Sequence, residues 1–296
     1  MDTYSNLHID HYNRIALGSI DSVFSGIGIG AIAEPLLSVG DTVTIGNAAS
    51  IMRERRFDVL GVTHDGMVTG YLSNQRDGLP LDAASLRPVT ESVEDFNGSR
   101  VASSCSLWEG LSRLAHLQRL FLADSSSDKV THIVTRADLQ KAPIRMMVFA
   151  YITIFEIHLT ERIRNFYPGD SWQSALESEV TASEPEVEDY NHRKAAGEEA
   201  DLLDCLGFFR KEQIILGTGQ LSSECTLSTR DPRVLLPRVR FLRNAVVHGS
   251  SLANRQRRWA DVSGILTDVR TLNARLEADD GEDTATLGEE MSAAPS

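Results

Sequence analysis

Three residue types that together can cleave a phosphodiester lie close together near the C-terminus. Arg243 and Asn244 are followed, after three intervening residues, by His248. In a helix, positions 244 and 248 share one face, and the long side chain of Arg243 would reach the same space. Cleavage of RNA at the 2'-hydroxyl needs a group that exchanges protons near neutral pH, which suits histidine, and a fixed charge on the phosphate, which suits arginine. Asn244 would orient one of these groups or the substrate.

The surroundings of this motif are basic, although the chain as a whole is acidic. Residues 230–258 contain eight arginines and a single acid, Asp231, whereas the formal net charge of the chain is -13. Indiscriminate binding of nucleic acid depends on neutralising many phosphates, so this net charge excludes a protein that coats nucleic acid with its whole surface. Contact with RNA is therefore expected to be local.

Apolar periodicity predicts a helical C-terminal half, with helices over 144–167, 202–216, 233–248 and 260–276. Four helices with one long crossover would make a small bundle. This pattern and the motif resemble the HEPN superfamily, whose active members carry an arginine and a polar residue followed, after three residues, by histidine. The resemblance covers about residues 144–276.

The HEPN resemblance implies a helical bundle that dimerises and brings two copies of the motif into one RNA-cleaving cleft. It also implies that catalysis uses no metal or other cofactor, and that the biological role lies in toxin action or antiviral defence. Transferred by position, Arg243 stabilises the phosphate, Asn244 is the polar residue of the motif and His248 is the acid and base. Glu156 matches an acid found on the first helix of such domains.

The N-terminal half contains one order of elements twice, strand-helix-strand-strand, with a period of about 60 residues. Such a repeat predicts two similar modules that pack on each other. The first copy is predicted to have strands at 43–45, 57–62 and 67–72, a helix through Ala48 and Met52, and a tight turn at Asp65-Gly66. The second copy has strands from Val101, over 120–123 and over 130–134, and a helix carrying Leu107, Leu111 and Leu114.

Each copy ends in a polar step, Ser73 to Asp77 in the first and Thr135 to Asp138 in the second. This arrangement resembles a tandem pair of CBS domains, a Bateman module, over about residues 15–142. The resemblance implies an adenine nucleotide as regulatory ligand, with Thr135 and Asp138 binding phosphate and ribose hydroxyls, and with Ser73 and Asp77 in the corresponding place. The first copy departs from the family pattern, which has its acid where Arg76 stands here. Alternatively, Thr135 and Asp138 cap a helix that begins near Leu139.

The predicted organisation is an α+β CBS-like pair over 1–142, an all-α HEPN-like domain over 143–277 and an acidic disordered tail over 278–296. The three cysteines show no spacing typical of a disulfide framework or a zinc site, and no metal site is expected. The first residues lack the basic and apolar regions of a signal peptide, so the expected location is cytoplasmic, without a membrane partner. His158, on an apolar helix, is expected to be a packed or interface residue.

The sequence therefore favours a ligand-regulated, metal-independent endoribonuclease. Its active site would form between two copies of Arg243, Asn244 and His248 in a homodimer or higher homo-oligomer. An alternative is a non-catalytic, nucleotide-sensing adaptor that binds RNA or a partner protein. A third is a complex-bound subunit whose acidic segments contact a basic partner.

Overall fold

The computed structural model describes residues 20–76, 79–176, 184–228 and 230–292. The chain divides into two compact units, one comprising Asp21–Ile144 and the other containing the helices that follow Arg145. The first unit mixes strands and helices and the second is helical, as the sequence predicts.

The elements up to the end of the first unit are, in chain order, α1 (Ile20–Ser25), a 3-10 turn (Ile29–Ile32), β1 (Glu34–Pro35), β2 (Ser38–Gly40), α2 (Ile45–Arg55), β3 (Val59–His64), β4 (Met67–Ser73), β5 (Gln75–Arg76), β6 (Leu79–Pro80), β7 (Arg100–Ala102), α3 (Leu107–His116), β8 (Arg119–Ala123) and β9 (Val130–Thr135). One sheet has the order β2-β3-β4 and another the order β1-β9-β8-β7. Strands β5 and β6 pair with each other.

The predicted internal repeat is confirmed by the pairing of these strands. In each copy the first strand runs parallel to the second, and the second runs antiparallel to the third. Both antiparallel pairs carry a register shift at the corresponding place, between Val62 and Thr63 and between Leu122 and Ala123. The predicted turn is also present, since Asp65 and Gly66 both have positive φ, 48° and 73°, as a two-residue hairpin loop requires.

The predicted opening strand at 43–45 is wrong. Helix α2 begins at Ile45, because the Thr44 side chain accepts a hydrogen bond from the Asn47 amide and caps the helix. The first strand of this copy of the repeat is instead β2, which pairs with Gly61, Val62 and Thr63 of β3.

Apolar side chains fill each copy of the repeat and the space between the two sheets. One buried cluster lies within the first copy: Ala48, Met52, Leu60, Val62, Leu72 and Val89. A second cluster joins the copies, since Val59 of the first packs with Phe121, Ala123 and Val130 of the second. The rings of Tyr71 and Phe96 lie 4.7 and 4.8 Å from that of Phe121. The two copies therefore share one apolar core.

The second unit is built from α4 (Ala142–Phe166), α5 (Pro185–Ala195), α6 (Leu202–Cys205), α7 (Phe208–Gly217), α8 (Gly219–Glu224), α9 (Pro232–Val247) and α10 (Trp259–Ser292). The predicted helix over 202–216 is divided into α6 and α7 because Gly207 has an extended backbone. Helix α8 lies between the predicted helices over 202–216 and 233–248, where no helix was predicted.

The disordered tail expected over 278–296 is not what the backbone shows as far as Ser292, because α10 continues to that residue. Residues 278–292 include two alanines, three glutamates, Leu287 and Met291. These are strong helix formers, and their propensity opposes the effect of the acidic charges.

Helix α4 has 25 residues and is apolar enough, by length and composition, to cross a membrane. Half of its most apolar window is nevertheless buried inside the protein. Its buried side chains include Phe155, Leu159 and Ile163, all with no exposed surface. Spacing of four residues places these three side chains on one face, where they pack as the core of the helical unit.

Candidate functional site

The carboxylate of Asp138 is fully engaged by neighbouring groups at the end of β9. Its Oδ2 accepts hydrogen bonds from the Thr135 backbone N–H at 2.7 Å and from the Thr135 hydroxyl at 2.9 Å. Its Oδ1 lies 2.9 Å from the Lys141 ammonium. The side chain is 12% exposed, so it lies at the edge of the protein interior. The structure thus brings together Thr135 and Asp138, as expected, and adds Lys141.

The helix-capping alternative for these residues is not what the structure shows. The short 3-10 turn Asp138–Gln140 has Ala137 at its N-cap, with no side-chain hydrogen bond there. The Asp138 carboxylate instead accepts bonds from Thr135, which precedes the turn. Lys141 also donates to the Ile32 carbonyl at 2.7 Å and pairs with Glu34. Burial works against the charged lysine, but its bonds to Glu34 and Asp138 outweigh it and raise the pKa of Lys141.

The corresponding position in the first copy is occupied differently. Ser73 ends β4 and accepts a 3.4 Å hydrogen bond from Arg119, which lies on β8 of the second copy. The Arg119 guanidinium also lies 5.3 Å from the Tyr71 ring centre. The predicted acid of this copy, Asp77, lies outside the described residues. Ser73 is therefore bound to an arginine of the other copy, whereas Thr135 is bound to its own acid.

Helix α9, which carries the Arg-Asn-His motif, is fixed at both ends by its own sequence. Asp231 caps its start by accepting a 2.7 Å hydrogen bond from the Arg233 amide. Buried residues recur every three or four positions along it: Leu235, Leu236, Val239, Leu242 and Ala245. The helix ends at Val247, His248 is its C-cap, and Gly249 follows with a φ of 67°, a typical helix stop.

Arg243 lies beside Glu156, which belongs to a chain of charged groups crossing three helices. The Glu156 carboxylate is 3.3 Å from Lys211 through one oxygen and 3.9 Å from Arg243 through the other. The Lys211 side chain is only 6% exposed, whereas that of Arg243 is 34% exposed. Glu156, Lys211 and Arg243 line a groove of about 390 Å³ together with Phe149, Ile157 and Asp204, among others. The Arg243 guanidinium thus lies at an open surface, within ion-pair distance of a carboxylate that a buried lysine contacts more closely.

Asn244 and His248 do not line this groove, although both lie at the surface. Consecutive positions on a helix point about 100° apart, so Arg243 and Asn244 face different directions. Within one chain, the side chains of Arg243, Asn244 and His248 therefore do not converge as predicted. Asn244 and His248 do share a face, and the His248 amide donates a 2.9 Å hydrogen bond to the Asn244 carbonyl.

The basic stretch around the motif is divided between structural and exposed arginines. Arg230 pairs with Asp268 at 3.0 Å, and Arg240 pairs with Glu212 at 3.3 Å. Burial raises the pKa of Glu212, while Arg240 opposes that rise. Four arginines of the stretch are exposed: Arg233, Arg238, Arg255 and Arg258. The positive charge that the surface offers is therefore smaller than the count of arginines suggests.

Comparison with known proteins finds similarity only among solved structures. No family model matches the chain, and no curated protein matches it. Several of the solved structures that it resembles are CBS domains. One is a conserved CBS domain protein of unknown function from Thermoplasma acidophilum, with 22% identity, 43% of this chain and 77% of that chain covered, and a TM-score of 0.31.

Two others were solved with nucleotides. CBSX2 in complex with AMP is 19% identical, with 41% of this chain and 98% of that chain covered and a TM-score of 0.33; a CBSX2 structure is from Arabidopsis thaliana. The CBS domain of a bacterial CNNM/CorC family Mg²⁺ transporter in complex with ATP is 15% identical, with 46% and 96% covered and a TM-score of 0.33.

Three site residues were not anticipated from the sequence: Lys141, Arg145 and Lys211. Arg145, near the start of α4, donates to the Ala245 carbonyl at 2.7 Å and to the Ser250 carbonyl at 3.0 Å. It therefore satisfies carbonyl groups on both sides of His248, which lack partners at a helix end. Its sequence signal is weak, namely a single arginine in the first turn of an apolar helix.

Proposed function

We propose that this protein is an endoribonuclease whose active site forms between two copies of α9 and whose activity responds to an adenine nucleotide. The observation that carries the proposal is the positioned guanidinium of Arg243, 3.9 Å from Glu156 at the edge of an open groove. A fixed arginine at the surface of a basic helix is suited to the charge that develops on phosphate. Asn244 and His248 lie exposed on the adjoining face of the same helix.

The proposed reaction breaks one bond and forms one bond at phosphorus. The 2'-oxygen of the ribose attacks, its proton passes to an imidazole, the bond from phosphorus to the 5'-oxygen breaks, and that oxygen takes a proton from a second imidazole. The products are a 2',3'-cyclic phosphate and a 5'-hydroxyl. One His248 cannot lie beside both oxygens at once, so two copies of the chain supply the two histidines. The same pairing would bring Arg243 of one copy toward the histidine of the other.

We further propose that residues 21–144 are a CBS pair and bind the nucleotide near Thr135 and Asp138. A carboxylate that accepts two hydroxyl hydrogen bonds is a sound ribose clamp. Asp138 is already held in place by Thr135 and Lys141. A bound ribose would take over part of this hydrogen bonding, and the Lys141 ammonium would then be near the nucleotide phosphates.

The connection between the two functions is short along the chain. Lys141 contacts Asp138, and four residues later Arg145 holds the carbonyls of Ala245 and Ser250 around His248. A ligand that changes the contacts of Lys141 would act at the beginning of α4, one turn before Arg145. It shifts the equilibrium only if it binds the two states with different affinity.

The test is incubation of purified wild type, His248→Ala and His192→Ala with total RNA and a tRNA pool in EDTA, with and without AMP and ATP. His192 is an exposed histidine of the same unit and serves as the matched control. We expect cleavage by wild type and by His192→Ala, and a loss of about 10²- to 10⁴-fold in His248→Ala, the range for a lost acid-base group. The dimer should persist in all three proteins.

Equal cleavage by wild type and His248→Ala would remove His248 from the mechanism. The non-catalytic adaptor is the second candidate, and the ion pair of Arg243 with Glu156 favours it, since such a pair can serve structure alone. Absence of cleavage under every condition, with an intact dimer, would support that function.

A further inference from the structure

Two exposed phenylalanines in the helical unit each have an arginine over one ring face. The Phe241 side chain is 46% exposed, and the Arg257 guanidinium carbon lies 3.4 Å from its ring centre. Phe209 is 48% exposed, and the corresponding carbon of Arg240 lies 4.6 Å from its ring centre. We call these two pairs the Phe-Arg platforms. In each pair an arginine lies over a ring that keeps nearly half of its surface exposed.

The two platforms flank the exposed face of α9 that carries Asn244 and His248. Phe241 precedes Asn244 by three positions and His248 by seven, so all three share a face. Arg240 precedes Asn244 by four positions and turns to Phe209 on α7, which packs against α9. The motif therefore lies between one platform on its own helix and another that spans α7 and α9.

The charge around the platforms favours a polyanionic ligand. Residues 230–258 contain one acid, Asp231, and its carboxylate is occupied as the cap of α9. The Glu212 carboxylate lies against a platform arginine, 3.3 Å from Arg240, and its side chain is only 6% exposed. Exposed arginines lie both before and after the motif, at Arg238 and Arg255. An exposed apolar ring among positive charges is typical of surfaces that stack nucleic acid bases, because each base has an aromatic face and each nucleotide a phosphate.

We propose that the Phe-Arg platforms stack unpaired bases on either side of the scissile phosphodiester, so that the substrate class is single-stranded RNA. This inference rests on the proposed ribonuclease function. Stacking requires bases that can be splayed out of a helix, and those of a duplex are already stacked on one another. The platforms would therefore select single strands and loops, and the exposed arginines Arg238 and Arg255 would contact the adjoining phosphates.

The test is fluorescence anisotropy with a short labelled RNA of mixed sequence and no self-complementarity, at one fixed salt concentration. The full chain carries His248→Ala so that the RNA stays intact, and the same RNA annealed to its complement is measured alongside. On this background we compare Phe241→Ala, Phe241→Leu, Phe241→Trp and Phe209→Ala. Phe166→Ala is the matched control, since Phe166 is 37% exposed and packs edge-on against Tyr167.

We expect single strands to bind more tightly than the duplex. Loss of one stacking ring should weaken binding of the single strand by about 5- to 150-fold. Phe241→Ala, Phe241→Leu and Phe209→Ala should show this loss, whereas Phe241→Trp and Phe166→Ala should bind like the parent. The leucine variant is decisive, because leucine retains apolar surface but has no aromatic face.

A second copy of the chain covering Phe241 gives a different pattern. Phe241→Ala would then reduce dimerisation in sedimentation experiments, while Phe241→Leu would retain both the dimer and RNA binding. That result would overturn the inference, as would equal affinity for duplex and single strand. Cleavage by wild type is assayed in parallel. If the platform variants bind RNA like their His248→Ala parent while wild type cleaves, the inference alone fails; if RNA binding depends on Phe241 but wild type does not cleave, the ribonuclease proposal fails and base stacking on the platforms stands.

Discussion

Each candidate site contains a lysine-carboxylate pair, but the two pairs are supported by different numbers of neighbours. Lys141 lies 2.9 Å from Asp138, and its side chain is 35% exposed. Lys211 lies 3.3 Å from Glu156, and its side chain is only 6% exposed. Asp138 receives two more hydrogen bonds from Thr135, while the other oxygen of Glu156 has, among the residues that the structure describes, only Arg243 at 3.9 Å.

The Asp138 site can therefore lose one of its contacts and keep the others. At the Glu156 site, the contact with Lys211 neutralises a buried charge. At Asp138 a ligand can displace one neighbour while others keep the carboxylate in place. At Glu156 the loss of Lys211 would leave the carboxylate without its closest counter-ion. Glu156 would then be free to draw Arg243 into the groove. The first arrangement suits reversible binding, and the second suits a rigid support for Arg243.

The largest expected effect is on stability, in Lys211→Met. Breaking a buried ion pair by removing one member lowers the free energy of unfolding by about 3 to 5 kcal/mol. Lys141→Met is the matched control, and we expect it to lower that free energy by less than about 1 kcal/mol, as for a partly exposed pair. Urea unfolding followed by circular dichroism measures both. Equal losses in the two variants would contradict the comparison.

The features that the sequence predicted correctly depend on local chemistry. The repeat is visible because each strand and helix has its own apolar period, and the turn at Asp65-Gly66 is visible because these residues accept positive φ. Strand β2 was misplaced because its sequence, Ser38–Gly40, has no alternating pattern and is a strand only through pairing with β3. Its position depends on a partner more than twenty residues away.

The same limit applies to the candidate sites. Glu156 was singled out only as an acid on the first helix of a HEPN-like domain, and the structure places its carboxylate 3.9 Å from Arg243. Lys211 was missed because it lies 55 residues from Glu156 in sequence and nothing in its neighbourhood marks a buried lysine. Conversely, three side chains of the motif were expected to meet in one chain, because adjacent positions look close in sequence. Helix geometry separates them.

The second prediction concerns His158, another buried polar group of the helical unit. The residue is 1% exposed, and neither ring nitrogen has a hydrogen-bond partner among the described residues. Burial, with a smaller effect from Arg162, lowers the pKa of His158 to about 4 from 6.5. In the unfolded chain the imidazole becomes protonated first as the pH falls, so acid favours unfolding. This contribution to stability is complete above about pH 6.5 and is lost toward pH 4, with an order of magnitude of 3 kcal/mol at most.

Urea unfolding of wild type and His158→Leu between pH 7.5 and pH 4.5 isolates this contribution. Other titrating groups act in both proteins, so the informative quantity is the difference between them. We expect the free energy of unfolding to fall more steeply with acid in wild type. Parallel curves would show that His158 does not become protonated on unfolding in this range. Burial of a polar group in the helical unit would then cost less stability than the contrast between Lys211 and Lys141 implies.

The smallest expected effect is at the other site, in Asp138→Asn. The substitution keeps the size of the side chain but removes the charge that strengthens its hydrogen bonds with Thr135, Lys141 and a ribose hydroxyl. If Asp138 clamps the ribose, affinity for AMP and ATP measured by calorimetry should fall about tenfold, equivalent to about 1.4 kcal/mol. Ser73→Ala is the control in the first copy, where Arg119 occupies the serine hydroxyl, and we expect less than a twofold change. A larger loss in Ser73→Ala than in Asp138→Asn would place the nucleotide in the first copy. The hydrogen bonds of Asp138 would then stabilise the fold and would not bind a ligand. The Lys141–Asp138 pair and the Lys211–Glu156 pair would then have the same structural role.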